Sequence, residues 1–494
     1  MLSKDQCLDA IKKIDFGDID GYGDRNLEKY FLDDSYWDKI INKDTFFVIA
    51  RKGTGKSSVY RMIEDEANKR ADTIESKDFG AFPFEKLLKL DDMDFSRPNQ
   101  YQSIWKNLIL NLFALMISKQ PSTGNIYQEQ IEQYVKNCIG NVVELHKEIL
   151  NMSVKTSGGL SFRSVNLGRE AERAVSIGSG SNNITQINSA LYDLIINYFI
   201  SYLGNCNFII QFDRLDDNYN MYQDLEKYFN AIISLFKVVY QINQDFRYKN
   251  IINAKIIIYL RSDIYRELSK RDAESARWDD FKTDLDWAIK YKSDWEDPKL
   301  LKMVNKRIYV SLPELDEDAN FRSIFFNDYI AIRDRRGENI DVFKYIIQDT
   351  MQRPRDLIQF CKCIQHEVKK ENDLYYRIIR NAESTFVSWL LKKEIANEIN
   401  PIVKDTEHLF ELLKLIGSKF FSLTDFKDRF RSVKGLNMDC EELAYYLYDV
   451  GIIENVRERK SGPPEFRSIM RNQDKLDRNM KMTIHRGIWL GLNN

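Results

Sequence analysis

The segment FFVIARKGTGKSSVYR, residues 46–61, sets an unbroken apolar run against a turn that carries two glycines and closes on Gly55-Lys56-Ser57. Phe46 to Ile49 have the length and composition of a buried strand, and from Ser57 to Ala67 helix formers carry apolar residues at helical spacing. In the turn between them, Gly53 and Gly55 let successive backbone N–H groups curl around an anion, and the following helix directs its positive end at the same point. On a nucleotide the work divides by residue type. Lys52, Gly53, Thr54, Gly55, Lys56, Ser57 and Ser58 form the cradle, Lys56 neutralises the β- and γ-phosphates, and the Ser57 hydroxyl ligates Mg²⁺. The pattern G-x-x-x-x-G-K-[ST] is met except at its first position, where Ala50 stands for glycine; a small residue still lets the strand turn. The bland alternative is an ordinary strand, turn and helix, and only residues further along the chain can decide between the two.

The 494 residues, 43% of them apolar, suffice for about two to four domains with proper cores. Six cysteines (Cys7, Cys138, Cys206, Cys361, Cys363, Cys440) form no CxxC pair and the four histidines are scattered, which points to reduced structural thiols and to neither a zinc site nor a disulfide framework. The chain begins MLSKDQCLDA, without a charged-then-apolar signal, and its most apolar stretch, Leu194 to Phe212, is interrupted by Asn197, Ser201, Gly204, Asn205 and Asn207. A cytoplasmic, soluble protein with no membrane contact is expected. A net charge of −2 gives no global attraction to nucleic acid, so any such contact needs a local patch.

Before the first strand, residues 16–44 mix turn signals with aromatics; they suit either a cover over a nucleotide base or a packing lead-in. Trp105 to Ser118 is apolar nearly all round, as a helix buried beside a sheet is. An insertion is expected at about residues 120–190, first helical and then, over 152–183, rich in Ser and Gly with hairpin-like alternation. The second decisive signal is NFIIQFDRLDD, residues 207–217, a buried strand ending in acids. Asp213 at its end is placed to bind Mg²⁺ through water, and Asp216 and Asp217 are the candidates for orienting the attacking water. A third apolar strand, AKIIIYLRSD at 254–263, releases Arg261 where a γ-phosphate sensor is expected, a task suited to a guanidinium.

ARKGTGKSS, IIQFDRLDD, IIIYLRSDIYREL, DWEDPKLLKMVNKRI and MQRPRDLIQFCKCI, in that order, resemble the AAA+ and STAND class of ATPases, in particular the branch shared by origin-recognition-like ATPases and bacterial STAND- and KAP-like proteins. The resemblance covers about residues 16–490. It implies an α/β fold: a P-loop parallel sheet with helices on both faces, then a helical lid and a C-terminal winged-helix domain. Domains are accordingly expected at 1–45 (lead-in), 46–300 (nucleotide-binding), 301–400 (lid) and 401–494 (winged helix). It also implies ATP as the nucleotide, with no guanine-recognition motif after the third strand to oppose it. In that class an arginine of the lid senses the nucleotide; MQRPRDL supplies Arg353 and Arg355, with Pro354 at a helix start, and Arg355 is the chosen sensor. One departure is Arg214, directly after Asp213, where many members carry a catalytic glutamate, so hydrolysis has to rely on Asp216 or Asp217. For an arginine finger Arg266, Arg271 and Arg277 are candidates, with solvated surface charges as the alternative.

From Asp405, three amphipathic segments (EHLFELLKLIG, LTDFKDRF, CEELAYYLYDVGII) precede strand-like EFRSIM and MTIHRGIWLGLN, the order of a winged helix. Between Glu454 and Asn494 nine Lys/Arg face five Asp/Glu, and Arg457, Arg459, Lys460 and Arg467 flank the wing-like SGPP, an arrangement able to grip a DNA backbone. The preceding helix is acidic, which favours protein contact over reading of double-stranded DNA. Three functions stand side by side. The first is a Mg²⁺-dependent regulatory ATPase whose nucleotide state controls a homo-oligomer or a separate protein effector; the resemblance connects this with bacterial antiviral defence, and the sequence carries no nuclease, protease or NAD-cleaving pattern of its own. The others are a DNA-binding loader or remodeller and a nucleotide-bound scaffold with little turnover.

Overall fold

In a computed structural model of the chain, the described residues are 2–80, 87, 97, 99–136, 183–216, 225–290, 293–315, 319–333, 337–417, 420–436, 438–458, 464–468 and 475–494. Two compact units divide them. The sheet unit comprises Ser35–Ala50 and Val59–Leu285; the helical unit comprises Met1–Asp34, Arg51–Ser58 and Asp286–Asn494. The lead-in expected at 1–45 is thus shared by both, and the glycine turn groups with the helical unit.

The sheet unit runs β1 (Phe47–Ala50), α1 (Lys56–Lys69), β2 (Thr73–Asp78), α2 (Gln102–Ser118), α3 (Ile126–Tyr134), α4 (Asn183–Ser201), β3 (Phe208–Asp213), α5 (Leu225–Tyr248), β4 (Ala254–Arg261), α6 (Ser262–Arg271) and β5 (Lys282–Asp284). Its five strands are all parallel, in the order β2-β3-β4-β1-β5, so the chain is α/β. Every residue of β1 and β3 is buried. Because successive side chains point to opposite faces, both faces are covered there, which explains why these strands read as continuous apolar runs. On one face Phe208, Ile210 and Phe212 of β3 share a core with Trp105 of α2 and Phe236 of α5. On the other, Gln211 donates to the Tyr60 carbonyl of α1 at 3.0 Å and accepts from the Tyr259 hydroxyl at 3.1 Å. Helix α2 is buried over most of its surface, as its composition implies. Residues 152–182 of the expected insertion lie outside the described residues.

Parallel register carries the strand ends to one edge. Asp213 at the end of β3 lies opposite Asp78 of β2, and Arg261 at the end of β4 lies opposite Ala50, from which the glycine turn leaves β1. In open parallel sheets this carboxyl edge is where ligands bind, at the strand whose neighbours are reached by connections running in opposite directions. Here that strand is β1, flanked by β4 and β5 while its own connection runs to β2 at the far edge.

The helical unit is built on α7 (Lys299–Ser311), α8 (Pro354–Glu371) and α9 (Tyr376–Trp389), after which a π-helical turn, Leu390–Ile395, passes into Ala396–Ile399. Pro354 occupies the first turn of α8, where its missing N–H costs nothing. The N-terminal helix Lys4–Lys13 is tied to α8 by Gln365, which donates to the carbonyls of Ile11 and Ile14 at 2.8 and 2.7 Å. Further on come α10 (Thr406–Ile416), α11 (Leu423–Phe430) and α12 (Cys440–Asp449), then an antiparallel sheet of β6 (Ile453–Arg457), β7 (Glu465–Arg467) and β8 (Lys481–Ile484) in the order β7-β6-β8, and α13 (Arg486–Asn493). Among the described residues no helix is long and apolar enough to cross a membrane.

Two expectations are corrected at this end. The segment CEELAYYLYDVGII is not helical throughout: α12 stops at Asp449 and Ile453 already belongs to β6. MTIHRGIWLGLN is not a single strand either, for after Ile484 it turns into α13, whose buried positions Ile488, Gly491 and Leu492 recur at helical spacing. Two glycines of α13 are contact points. A Cβ on Gly487 would lie 2.0 Å from the Asp349 carbonyl oxygen, and one on Gly491 would lie 2.7 Å from that of Val387. Replacing Gly487 by Ala therefore forces α13 away from its seat, and we expect a loss of about 1–3 kcal/mol, measurable by chemical denaturation.

Candidate functional site

Within the helical unit every carbonyl from Arg51 to Thr54 in the glycine turn is hydrogen-bonded. The Arg51 carbonyl accepts from the Thr54 hydroxyl at 2.7 Å and from Lys56 Nζ at 3.4 Å. Arg353 Nη1 donates to the Lys52 carbonyl at 3.3 Å, the Arg355 backbone N–H to that of Gly53 at 3.3 Å, and Trp287 Nε1 to that of Thr54 at 2.9 Å. The carbonyls of Lys52, Gly53 and Thr54 are thus bonded to groups outside the turn, while the Arg51 carbonyl closes the turn on itself, also taking the Thr54 amide at 3.4 Å. Gly53 and Gly55 make this possible with φ of +79° and +94°, backbone that L side chains rarely adopt. A Cβ on Gly53 would also press on Arg355 at 3.2 Å, whereas the space over Gly55 is open. A glycine turn whose carbonyls are already bonded, followed by α1 starting at Lys56, is suited to an oxyanion such as a phosphate. From the lead-in, Gly21 abuts the first turn of α1: a Cβ there would lie 2.4 Å from Ser58 Oγ.

Behind the turn lies a buried ion cluster. Arg353, only 1% exposed, bonds Asp356 through Nε (3.0 Å) and Nη2 (2.9 Å) and Glu398 through Nη1 (2.8 Å). Burial works against its charge, but Asp356 and Glu398 outweigh it and hold the guanidinium even more firmly protonated than usual. Burial raises the Asp356 carboxyl above its ordinary range, with Arg353 opposing. Arg355, the expected sensor, bonds Glu394 Oε1 at 3.2 Å and the Ile19 carbonyl at 3.2 Å, and its side chain stays 23% exposed. Glu398 also faces Arg51 at 3.6 Å, and Glu394 faces Lys52 at 3.9 Å. Sequence reasoning missed Glu394, Glu398, Arg51 and Trp287. A signal was present for the two glutamates: KKEIANEI sets them four apart, on one helical face.

In the sheet unit, Asp213 is buried on the same face of β3 as Gln211, and its carbonyl accepts from Phe79 N at 2.9 Å. Burial, and then the Asp213 charge, push the Tyr259 hydroxyl well above its usual pKa. Arg214 occupies left-handed backbone at φ +59° and pairs with Asp78 at 2.9 Å. Arg261 grips Asp263 with two bonds, 3.0 and 2.6 Å, and lies 3.6 Å from Asp216. Despite burial, which works the other way, Arg261 holds the Asp263 carboxyl below its ordinary range. The expected sensor and the expected water-orienting acid are thus brought together as an ion pair. Asp217 lies outside the described residues.

The remaining candidates have separate engagements. Arg271 pairs with Glu267 at 2.6 Å and Arg277 with Glu274 at 3.8 Å, each on its own helical turn, and Arg266 adjoins Asp263 electrostatically. Of the basic tip, Arg467 pairs with Glu465 at 3.3 Å, Arg457 is exposed, and Arg459 and Lys460 fall outside the described residues. The acidic helix α12 binds its own cations, with Glu441 2.6 Å from Lys427 and 3.0 Å from Arg478.

A family described as the FunZ-associated C-terminal helical domain matches residues 298–393. That span takes in α7, α8 and α9, hence Arg353 and Arg355, and stops one residue before Glu394. Along nearly its whole length the chain is similar to a protein of Escherichia coli (strain K12) named "Putative transposon gamma-delta 80.3 kDa protein". The two are 22% identical over 522 aligned residues, covering 97% of this chain and 67% of that protein. No solved structure matches.

The two arginines at the start of α8 separate by burial. Arg353→Ala leaves Asp356 and Glu398 charged and buried, and we expect a loss of about 3–5 kcal/mol in denaturant unfolding. Arg355→Ala, at a partly exposed pair, should stay within about 1 kcal/mol of the parent.

Proposed function

We propose that this chain is a Mg²⁺-dependent ATP-binding and ATP-hydrolysing regulatory protein of the P-loop class, resembling AAA+ and STAND ATPases and ending in a winged-helix domain. The observation that carries the reading is the turn at Arg51–Ser57, with its carbonyls from Arg51 to Thr54 already bonded and its two glycines in left-handed backbone between a buried parallel strand and the start of α1. Bound Mg²⁺-ATP supplies the phosphoanhydride to be cleaved and a metal that neutralises charge on the phosphates. Lys56 neutralises the β- and γ-phosphates, Ser57 and Asp213 supply the hydroxyl and carboxylate for Mg²⁺, and Asp216 or Asp217 orients the attacking water. Arg261 senses the terminal phosphate from the end of β4, and Arg355 reports the nucleotide from the first turn of α8. Nucleotide state would then act on a homo-oligomer or on a separate protein effector.

A slow variant of this reading has its own support. The position after Asp213 is an arginine engaged by Asp78, and Asp216 lies beside Arg261, so both of these acids at the strand ends already hold a cation. A switch that holds its nucleotide suits these pairings better than a fast motor. The acidity of α12, whose Glu441 also occupies Lys427 and Arg478, speaks against its insertion into a DNA groove and leaves the loader reading with the basic tip alone.

The test is ATP turnover by the purified protein, with and without double-stranded DNA, beside Lys56→Ala and Asp213→Ala. We expect turnover below about 1 s⁻¹, at or under the low end of ordinary enzymes, lost in both variants and unchanged by DNA. Turnover that survives Lys56→Ala would refute the assignment, and stimulation by DNA would favour the loader.

A further inference from the structure

The cluster behind the turn holds something the ATPase reading does not use: acids aimed at the cations of the turn itself. Glu394 sits in the π-helical turn Leu390–Ile395, its side chain 8% exposed. Its Oε1 takes Arg355, while its Oε2 is buried, has no hydrogen-bond partner among the described residues, and lies 3.9 Å from Lys52 Nζ and 4.0 Å from Arg353 Nη2. One helical turn on, Glu398 stands 3.6 Å from Arg51. From the same guanidinium, Arg51 Nη2 donates at 2.8 Å to the carbonyl of Val450, between the end of α12 and β6. Four cations (Arg51, Lys52, Arg353, Arg355) therefore meet three carboxylates (Asp356, Glu394, Glu398) in one pocket of the helical unit.

We propose that Glu394 is an internal counter-ion that nucleotide phosphate displaces, and that Arg51 passes the displacement to the turn at Val450. The proposal rests on the nucleotide reading and names the regulation of that site. Without phosphate, the carboxylate bonds Arg355 at 3.2 Å and faces Lys52 only at the longer 3.9 Å. A polyphosphate in the turn offers both cations a stronger, multidentate acceptor. Glu394 then keeps only Arg353, 4.0 Å away and already committed to Asp356 and Glu398, and a buried charge so weakly compensated is costly enough to drive its segment outward. Its position in a π-helical turn, a form common at functional sites, gives that segment an alternative backbone to relax into. Glu398 follows in the same helical stretch, and as its hold on Arg51 changes, so does the Arg51 bond to Val450. Nucleotide and Glu394 thus compete, and the free energy of that competition is what moves the C-terminal turn.

The experiment combines calorimetry with hydrogen exchange, using Mg²⁺-ATP on the full chain, Glu394→Gln and Lys56→Ala. Glutamine keeps the shape and removes the charge, so we expect Glu394→Gln to bind ATP roughly five- to tenfold tighter than the parent. In the parent, ATP should speed amide exchange in segments 390–400 and 448–453, a readout that needs no variant to fold. In Glu394→Gln, which has no charge to expel, ATP should leave exchange in those segments unchanged. If ATP binds in a Lys56-dependent way but exchange at 390–400 and 448–453 does not change, the proposal is overturned while the nucleotide site stands, whatever the affinity of Glu394→Gln. If the parent binds no ATP at all, the nucleotide reading falls and this inference with it.

Discussion

A guanidinium taken out of water has to be met by acceptors on every side, and in the helical unit that demand is set by Arg353. Its three nitrogens reach Asp356, Glu398 and the Lys52 carbonyl. Those acceptors belong to three stretches of chain far apart in sequence: the start of α8, the segment after α9, and the glycine turn. Asp356 extends the arrangement by accepting from the Met351 amide at 2.9 Å. One buried charge therefore fixes where α8 begins, where the 394–398 acids stand, and which way the Lys52 peptide faces. Apolar packing of the same volume would be at least as stable, but it would not orient a carbonyl. Orientation is the part that matters to the turn, because only with its carbonyls tied back can its amides face an anion.

The sheet unit meets a comparable constraint by register. Parallel pairing sets Arg261 beside Ala50 and Asp213 beside Asp78, so the strand ends that carry charge arrive at one edge without any side-chain bond having to place them. What the edge then does with its charges is to pair them: Arg261 with Asp263 and Asp216, Arg214 with Asp78.

Much of this was legible because it is local. A buried strand, a glycine turn and a helix announce themselves by periodicity, as do β3, β4 and α2, and Pro354 marks the start of α8 where proline is tolerated. The rest depends on distance in sequence. Glu394 and Glu398 look like an ordinary solvated pair beside two lysines until the fold buries them. Asp216 reads as a free acid after a strand, and only the fold brings it to Arg261. MTIHRGIWLGLN reads as a strand because a sequence does not reveal the carbonyls that Gly487 and Gly491 approach. Asp217, Arg459, Lys460 and residues 152–182, all given roles or interest by sequence, lie outside the described residues.

Arg214 ties three positions into one. It holds left-handed backbone, with its guanidinium against Gly80 and paired to Asp78. A glutamate at 214 would set two carboxylates face to face at Asp78, remove the cation that the cramped Gly80 site accommodates, and retain the backbone strain. Residues 78, 80 and 214 therefore exchange well only as a set, and a chimera that swapped one of them alone would inherit the disadvantages of both.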